Sequence, residues 1–76
     1  MNKDTEKIIG NNIRILREQR NMTQDSLAAK LQLLGCDITR SAIAKIEVGQ
    51  RHLYPDEIIL IKQILNVNYE SIFKVD

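Results

Sequence analysis

The stretch ITRSAIAKIEVGQR, residues 38 to 51, decides how the chain folds. Wound as a helix from Thr39, it sets Ile43, Ile46 and Glu47 on one face and Arg40, Ser41, Ala44, Lys45 and Val48 on the other. A carboxylate thus stands among core-facing isoleucines, and a buried acid calls for a cation. The opposite face is small and basic and carries no acid, whereas a merely solvated face usually mixes Glu with Lys.

Outward from this stretch the pattern is helical throughout. Upstream, Thr23 is a good N-cap, Gln24 and Asp25 fill a first turn, and Leu27, Ala28, Leu31 and Leu34 supply a core face before Gly35 stops the helix. Before that, Ile9, Ile13, Leu16 and Arg17 fall at i, i+4, i+7 and i+8, so a first helix is expected from about residue 6 to 20, after a short flexible N-terminus of about residues 1–6. Arg17 lies on the buried stripe of that helix, and Asn21 ends it. Downstream, Pro55 opens a fourth helix, with Asp56 and Glu57 at its positive end and Ile58, Ile61 and Leu65 facing inward. A last short helix, Tyr69 to Phe73, closes the bundle through Ile72 and Phe73. The expected core is Ile9, Ile13, Leu16, Leu27, Ala28, Leu31, Ile38, Ile43, Ile46, Ile58, Ile61, Leu65, Val67 and Ile72. Short helices of this kind must cross at steep angles around one small core, and the second and third read as a helix-turn-helix. The fold class expected is all-α, one compact five-helix domain over residues 1–76.

Composition narrows the function. With 76 residues there is little surface to bury beyond one core. One cysteine, Cys36, and one histidine, His52, make neither a disulfide framework nor a complete metal site, which points to a reducing, cytoplasmic setting. The N-terminus MNKDTEKIIG lacks a signal-peptide apolar stretch, and the longest apolar run, Ile58 to Ile61, is too short for a membrane span. Nothing calls for a cofactor, a metal or a small-molecule ligand. The net charge of +1 conceals a polarity: Arg14, Arg17, Arg20, Lys30, Arg40, Lys45 and Arg51 outnumber Glu18, Asp25, Asp37 and Glu47, while the chain beyond Arg51 is acidic. Such a domain suits a polyanion met with one side only.

From Ile9 to Phe73 the sequence resembles the Cro and phage-repressor type (XRE-like) helix-turn-helix family. The stations are IGNNIRILREQR, MTQDSLAAKL, TRSAIAKIEVGQR and YPDEIILIKQILNVNYESIF. The resemblance implies a lambda-repressor-like fold and a sequence-specific double-stranded DNA-binding regulator. It implies that Glu47 pairs with Arg17, a partner each residue needs on its apolar stripe. The opposite face then enters the major groove, where Arg40, Ser41, Ala44 and Lys45 read base edges. Gln24 and Thr39 are expected at phosphate, with Arg14, Gln50 and Arg51 as flanking contacts and Arg20 and Lys30 as weaker ones. The chain departs from the family between Ala28 and Thr39, where QLLGCD makes the connection about five residues longer. A second helix prolonged through Leu34 and a loop at Cys36 and Asp37 are expected there.

Other functions fit less well. Ser26, Ser41 and Ser71 have only His52 as a base, and no nucleophile elbow or phosphate loop is present, so the chain does not read as an enzyme. RNA or single-strand binding wants stacking platforms, and Tyr54, Tyr69 and Phe73 are the sole aromatics. The serious rival is a protein-interaction or antitoxin-type module. Ile59, Leu60 and Ile64 exceed the needs of the fourth helix's core, so with Tyr69 they form a candidate dimer surface for a second copy.

Overall fold

In a computed structural model, which describes residues 2–75, every regular element is helical: α1 Lys3–Gln19, α2 Gln24–Leu33, α3 Arg40–Glu47, α4 Pro55–Leu65 and α5 Tyr69–Phe73. Helix α1 starts earlier than its apolar stripe does, because the Asn2 side chain accepts from the amides of Asp4 at 2.8 Å and Thr5 at 3.2 Å. The expected flexible stretch up to about residue 6 is therefore helix from Lys3, while Met1 lies outside the described residues. Thr23 and Thr39 cap α2 and α3 by accepting from Ser26 and Ala42. Such caps satisfy backbone donors that the first turn leaves without partners.

The first three helices end alike. A residue at positive φ (Asn21 at 56°, Gly35 at 85°, Gly49 at 78°) turns the chain, and the next amide reaches back to the helix. Met22 donates to the Arg17 carbonyl at 3.1 Å, Cys36 to Leu31 at 2.9 Å and Gln50 to Lys45 at 2.8 Å. These are Schellman stops. Between α2 and α3 the long connection is held by the Gln32 side-chain amide, which donates to the Ile38 carbonyl at 2.8 Å. Ile38 itself is buried.

The core consists of Ile9, Ile13, Leu27, Ala28, Leu31, Ile38, Ile43, Ile46, Leu53, Ile61, Leu65 and Ile72. Leu53, in the loop before α4, joins the expected set, while Leu16, Ile58 and Val67 lie half-buried at its edge. Two expected inward residues face out: Leu34, the C-cap of α2, is 48% exposed and Phe73 is 40% exposed. Each falls at a helix end, beyond the packed turn.

Helix α1 crosses α3 at a glycine. A Cβ on Gly10 would lie 2.0 Å from the Ile46 carbonyl oxygen, so only a hydrogen fits there. Two residues on, the Asn12 amide donates to the carbonyls of Ile72 at 2.9 Å and Lys74 at 2.8 Å. Helix α1 thus carries α3 on one part of its surface and α5 on another.

Candidate nucleic-acid interface

The carboxylate of Glu47 ties three helices together. Arg17 of α1 donates to it twice, from Nε at 2.7 Å and Nη2 at 3.0 Å, and Gln24 of α2 donates from Nε2 at 3.0 Å. The Arg17 Nη1 donates to the Met22 carbonyl at 2.7 Å, so the guanidinium also closes the turn between α1 and α2. Both charged side chains are almost wholly buried, at 8% and 2% exposure. The hydrogen bond to Glu47 raises the Arg17 pKa, which burial alone would lower. A buried bidentate pair of this sort favours one register and one crossing angle. The longer α2–α3 connection therefore does not leave the angle of α3 free.

With Glu47 facing inward, the reverse side of α3 is solvent-facing. Arg40, Ser41 and Lys45 are exposed, and Ala44 between them is half-buried. The structure thus brings together on one short surface the side chains expected to read bases. Thr39, also exposed, spends its hydroxyl as an acceptor in the cap. Arg40 lies beside the start of α2, with Nε 3.7 Å from the Asp25 carboxylate.

The expected phosphate contacts divide. Gln24 stands at the start of α2, but one of its amide N–H groups is taken by Glu47. Gln50 is exposed just beyond α3. Arg14 is exposed and 3.4 Å from Glu18 one turn along α1. Arg51 is engaged within the chain as a clasp, donating from Nη1 and Nη2 to the two Glu57 oxygens at 2.9 and 3.0 Å and from Nη1 to the His52 carbonyl. Its guanidinium also lies over the Tyr54 ring, 5.7 Å from the centroid. Arg20, one of the weaker candidates, donates to the Leu65 and Asn66 carbonyls at the end of α4.

Glu57, read from the sequence only as a favourable acid near a helix start, proves buried and doubly employed. Its Oε1 accepts from the Tyr54 amide at 3.0 Å, as the capping-box residue of α4, and both oxygens accept from Arg51. Burial pushes its carboxyl up, but the hydrogen bonds from Arg51 and the Tyr54 amide outweigh that and hold the pKa below the ordinary value. A second such acid is Glu6, buried in α1 with Oε1 2.6 Å from His52 Nδ1. Gly10, Glu6 and the Arg51 clasp escaped the sequence reading. A lone glycine inside a helical pattern was the one available signal.

The candidate dimer surface is only partly present. Ile59 is 53% exposed and Tyr69 42%, but Leu60 and Ile64 pack against the core. Tyr69 stacks on Phe73 and has the Lys62 ammonium over its ring. Unforeseen was Leu33, 86% exposed at the end of α2, which with Leu34 and Ile64 lines a shallow groove. Among the described residues no helix is long and apolar enough to cross a membrane.

No curated protein and no solved structure matches the chain. A family model described as helix-turn-helix (HTH_3) matches residues 13–72, which spans α2, α3 and α4, the second part of α1 and most of α5. That family is DNA-binding and of the XRE and Cro-like type, and enzymatic members are not its rule. The match covers well over half of the chain and takes in the helix pair α2 and α3 entire, and this chain is a member of the helix-turn-helix family.

Proposed function

We propose that the protein is a sequence-specific regulator of transcription that inserts α3 into the major groove of double-stranded DNA. The observation that carries this reading is the acid-free outer face of α3, Arg40, Ser41, Ala44 and Lys45, held outward by the buried anchor of Glu47 on the inner face. Arg40 has the reach and the donor fork for guanine O6 and N7, Ser41 bonds several base edges, and Ala44 keeps the middle of the face thin. Lys45, one turn on, reaches a base or a phosphate. The second N–H of Gln24, the exposed Gln50 and Arg14, and the N-terminus of α2 supply backbone contacts. Thr39 adds at most its hydroxyl hydrogen.

The protein acts as a homodimer on two half-sites about one helical turn, ~34 Å, apart. Ile59 and Tyr69 are the exposed members of the surface assigned to that contact. Bound over a promoter, such a dimer represses by occlusion, and it works in the cytoplasm where the DNA is. Selection of bound duplexes from a random library tests the reading directly: enrichment of a near-palindromic site is expected. A second reading, a protein-interaction or antitoxin-type module, is favoured by the exposed Leu33, Leu34 and Ile59. Recovery of no preferred duplex, with equal weak binding to all sequences, would favour it instead.

A further inference from the structure

The start of α3 is electrostatically odd. Arg40 is its first residue and no acid lies in its first turn, although the positive end of a helix dipole disfavours a cation. The charge that faces Arg40 comes from the neighbouring helix: Asp25, in the first turn of α2, with its Oδ1 3.7 Å from the Arg40 Nε. The side chains are 64% and 78% exposed, so the pair contributes little to folding. It does have a directional consequence. A carboxylate on the Nε side of a guanidinium leaves the two terminal nitrogens facing away, and those form the fork that bonds guanine O6 and N7. Among the described residues no hydrogen bond occupies them.

We propose that Asp25 is a positioning residue for base selectivity: it orients the Arg40 fork toward guanine and keeps Arg40 from settling on a phosphate. This rests on the reading of Arg40 as a base-contacting residue. The second half of the effect is plain electrostatics. A fixed negative charge beside Arg40 repels the DNA backbone, so it lowers affinity for every sequence, while the oriented fork restores affinity only where a guanine receives it. Asp25 therefore lowers affinity in general and raises the ratio between sites.

The test titrates the wild-type protein and Asp25→Asn, Asp25→Glu, Arg40→Ala and Asp25→Asn/Arg40→Ala variants. The probes are the duplex selected by the wild type and a scrambled duplex of equal length, each at two salt concentrations. Asp25→Asn is expected to bind scrambled duplex as tightly as wild type or tighter, and to lose about tenfold in the selected-to-scrambled ratio. In the Arg40→Ala background the same change should leave the ratio where it is. Asp25→Glu should retain most of the ratio. Both positions are exposed, so unchanged thermal melting checks the fold of each variant. An Arg40→Ala variant with an undiminished ratio overturns base reading by α3 and the role of Asp25 with it. A ratio lowered by Arg40→Ala but not by Asp25→Asn, or lowered by Asp25→Asn equally with and without Arg40, overturns the role of Asp25 alone.

Discussion

The two faces of α3 differ in how firmly they are specified. The inner face is over-determined: Ile43 and Ile46 are buried, Gly10 abuts the Ile46 carbonyl, and Glu47 receives three hydrogen bonds from two helices. On the outer face Arg40, Ser41 and Lys45 are exposed, and Arg40 has only an open ion pair with Asp25 among the described residues. Changes inside should therefore cost stability first, and changes outside should cost recognition alone. A reading helix needs this division, since side chains can be exchanged for specificity only where the fold does not depend on them.

The largest effect is expected at the buried pair. Arg17→Met strands the Glu47 carboxylate and should lose ~3 kcal/mol in urea unfolding, while adding Glu47→Leu should recover much of that loss. Strictly additive losses would mean that the two charges do not act as a unit. Next comes Gly10→Ala, which gains ~1 kcal/mol of helix propensity but drives a methyl into backbone; a net loss of about 2 kcal/mol is expected by the same measurement. A neutral or stabilising outcome would show that α1 and α3 can part without cost.

On the outer face the same assays should register almost nothing, and DNA titration should register the change. Arg40→Ala is expected to lose about 1.5 kcal/mol on the selected duplex and little on random duplex, whereas Gln24→Ala should weaken both alike. Because Gln24 also donates to Glu47, its variant should show a small stability loss that Arg40→Ala lacks. If Arg40→Ala unfolds the domain, the two faces are not independent. If Lys45 contacts phosphate, Lys45→Ala should lower the salt slope by about one unit per half-site.

The smallest effect concerns the clasp that follows α3. The folded-state pKa of Glu57 lies below its ordinary value, so the pair contributes stability that is fully present above the unfolded carboxyl pKa. That contribution is lost as pH falls through the folded pKa. Arg51→Met should thus cost about 1 kcal/mol near neutral pH, with the deficit shrinking on acidification below about pH 4.5. A deficit independent of pH would assign the loss to packing against Tyr54.

The sequence alone determined the helical class and the order of the helices, which follow from local information: 3.6-residue periodicity and caps such as Thr23 and Thr39. It also showed two charges out of place on apolar stripes, and the family resemblance implied that these, Arg17 and Glu47, pair. The acid-free face of α3 was equally legible, because its residues lie within two turns of one another. Only the tertiary structure decided what depends on residues distant in sequence meeting in space. Gln24 turned to Glu47, Gly10 met the Ile46 carbonyl, and Asp25 was brought to Arg40. Arg51 was taken by Glu57 across a loop, where no helical spacing relates the two. A side chain's periodicity tells whether it faces in or out, but its partner is fixed by helix crossing angles, and those arise from the packing of the whole core.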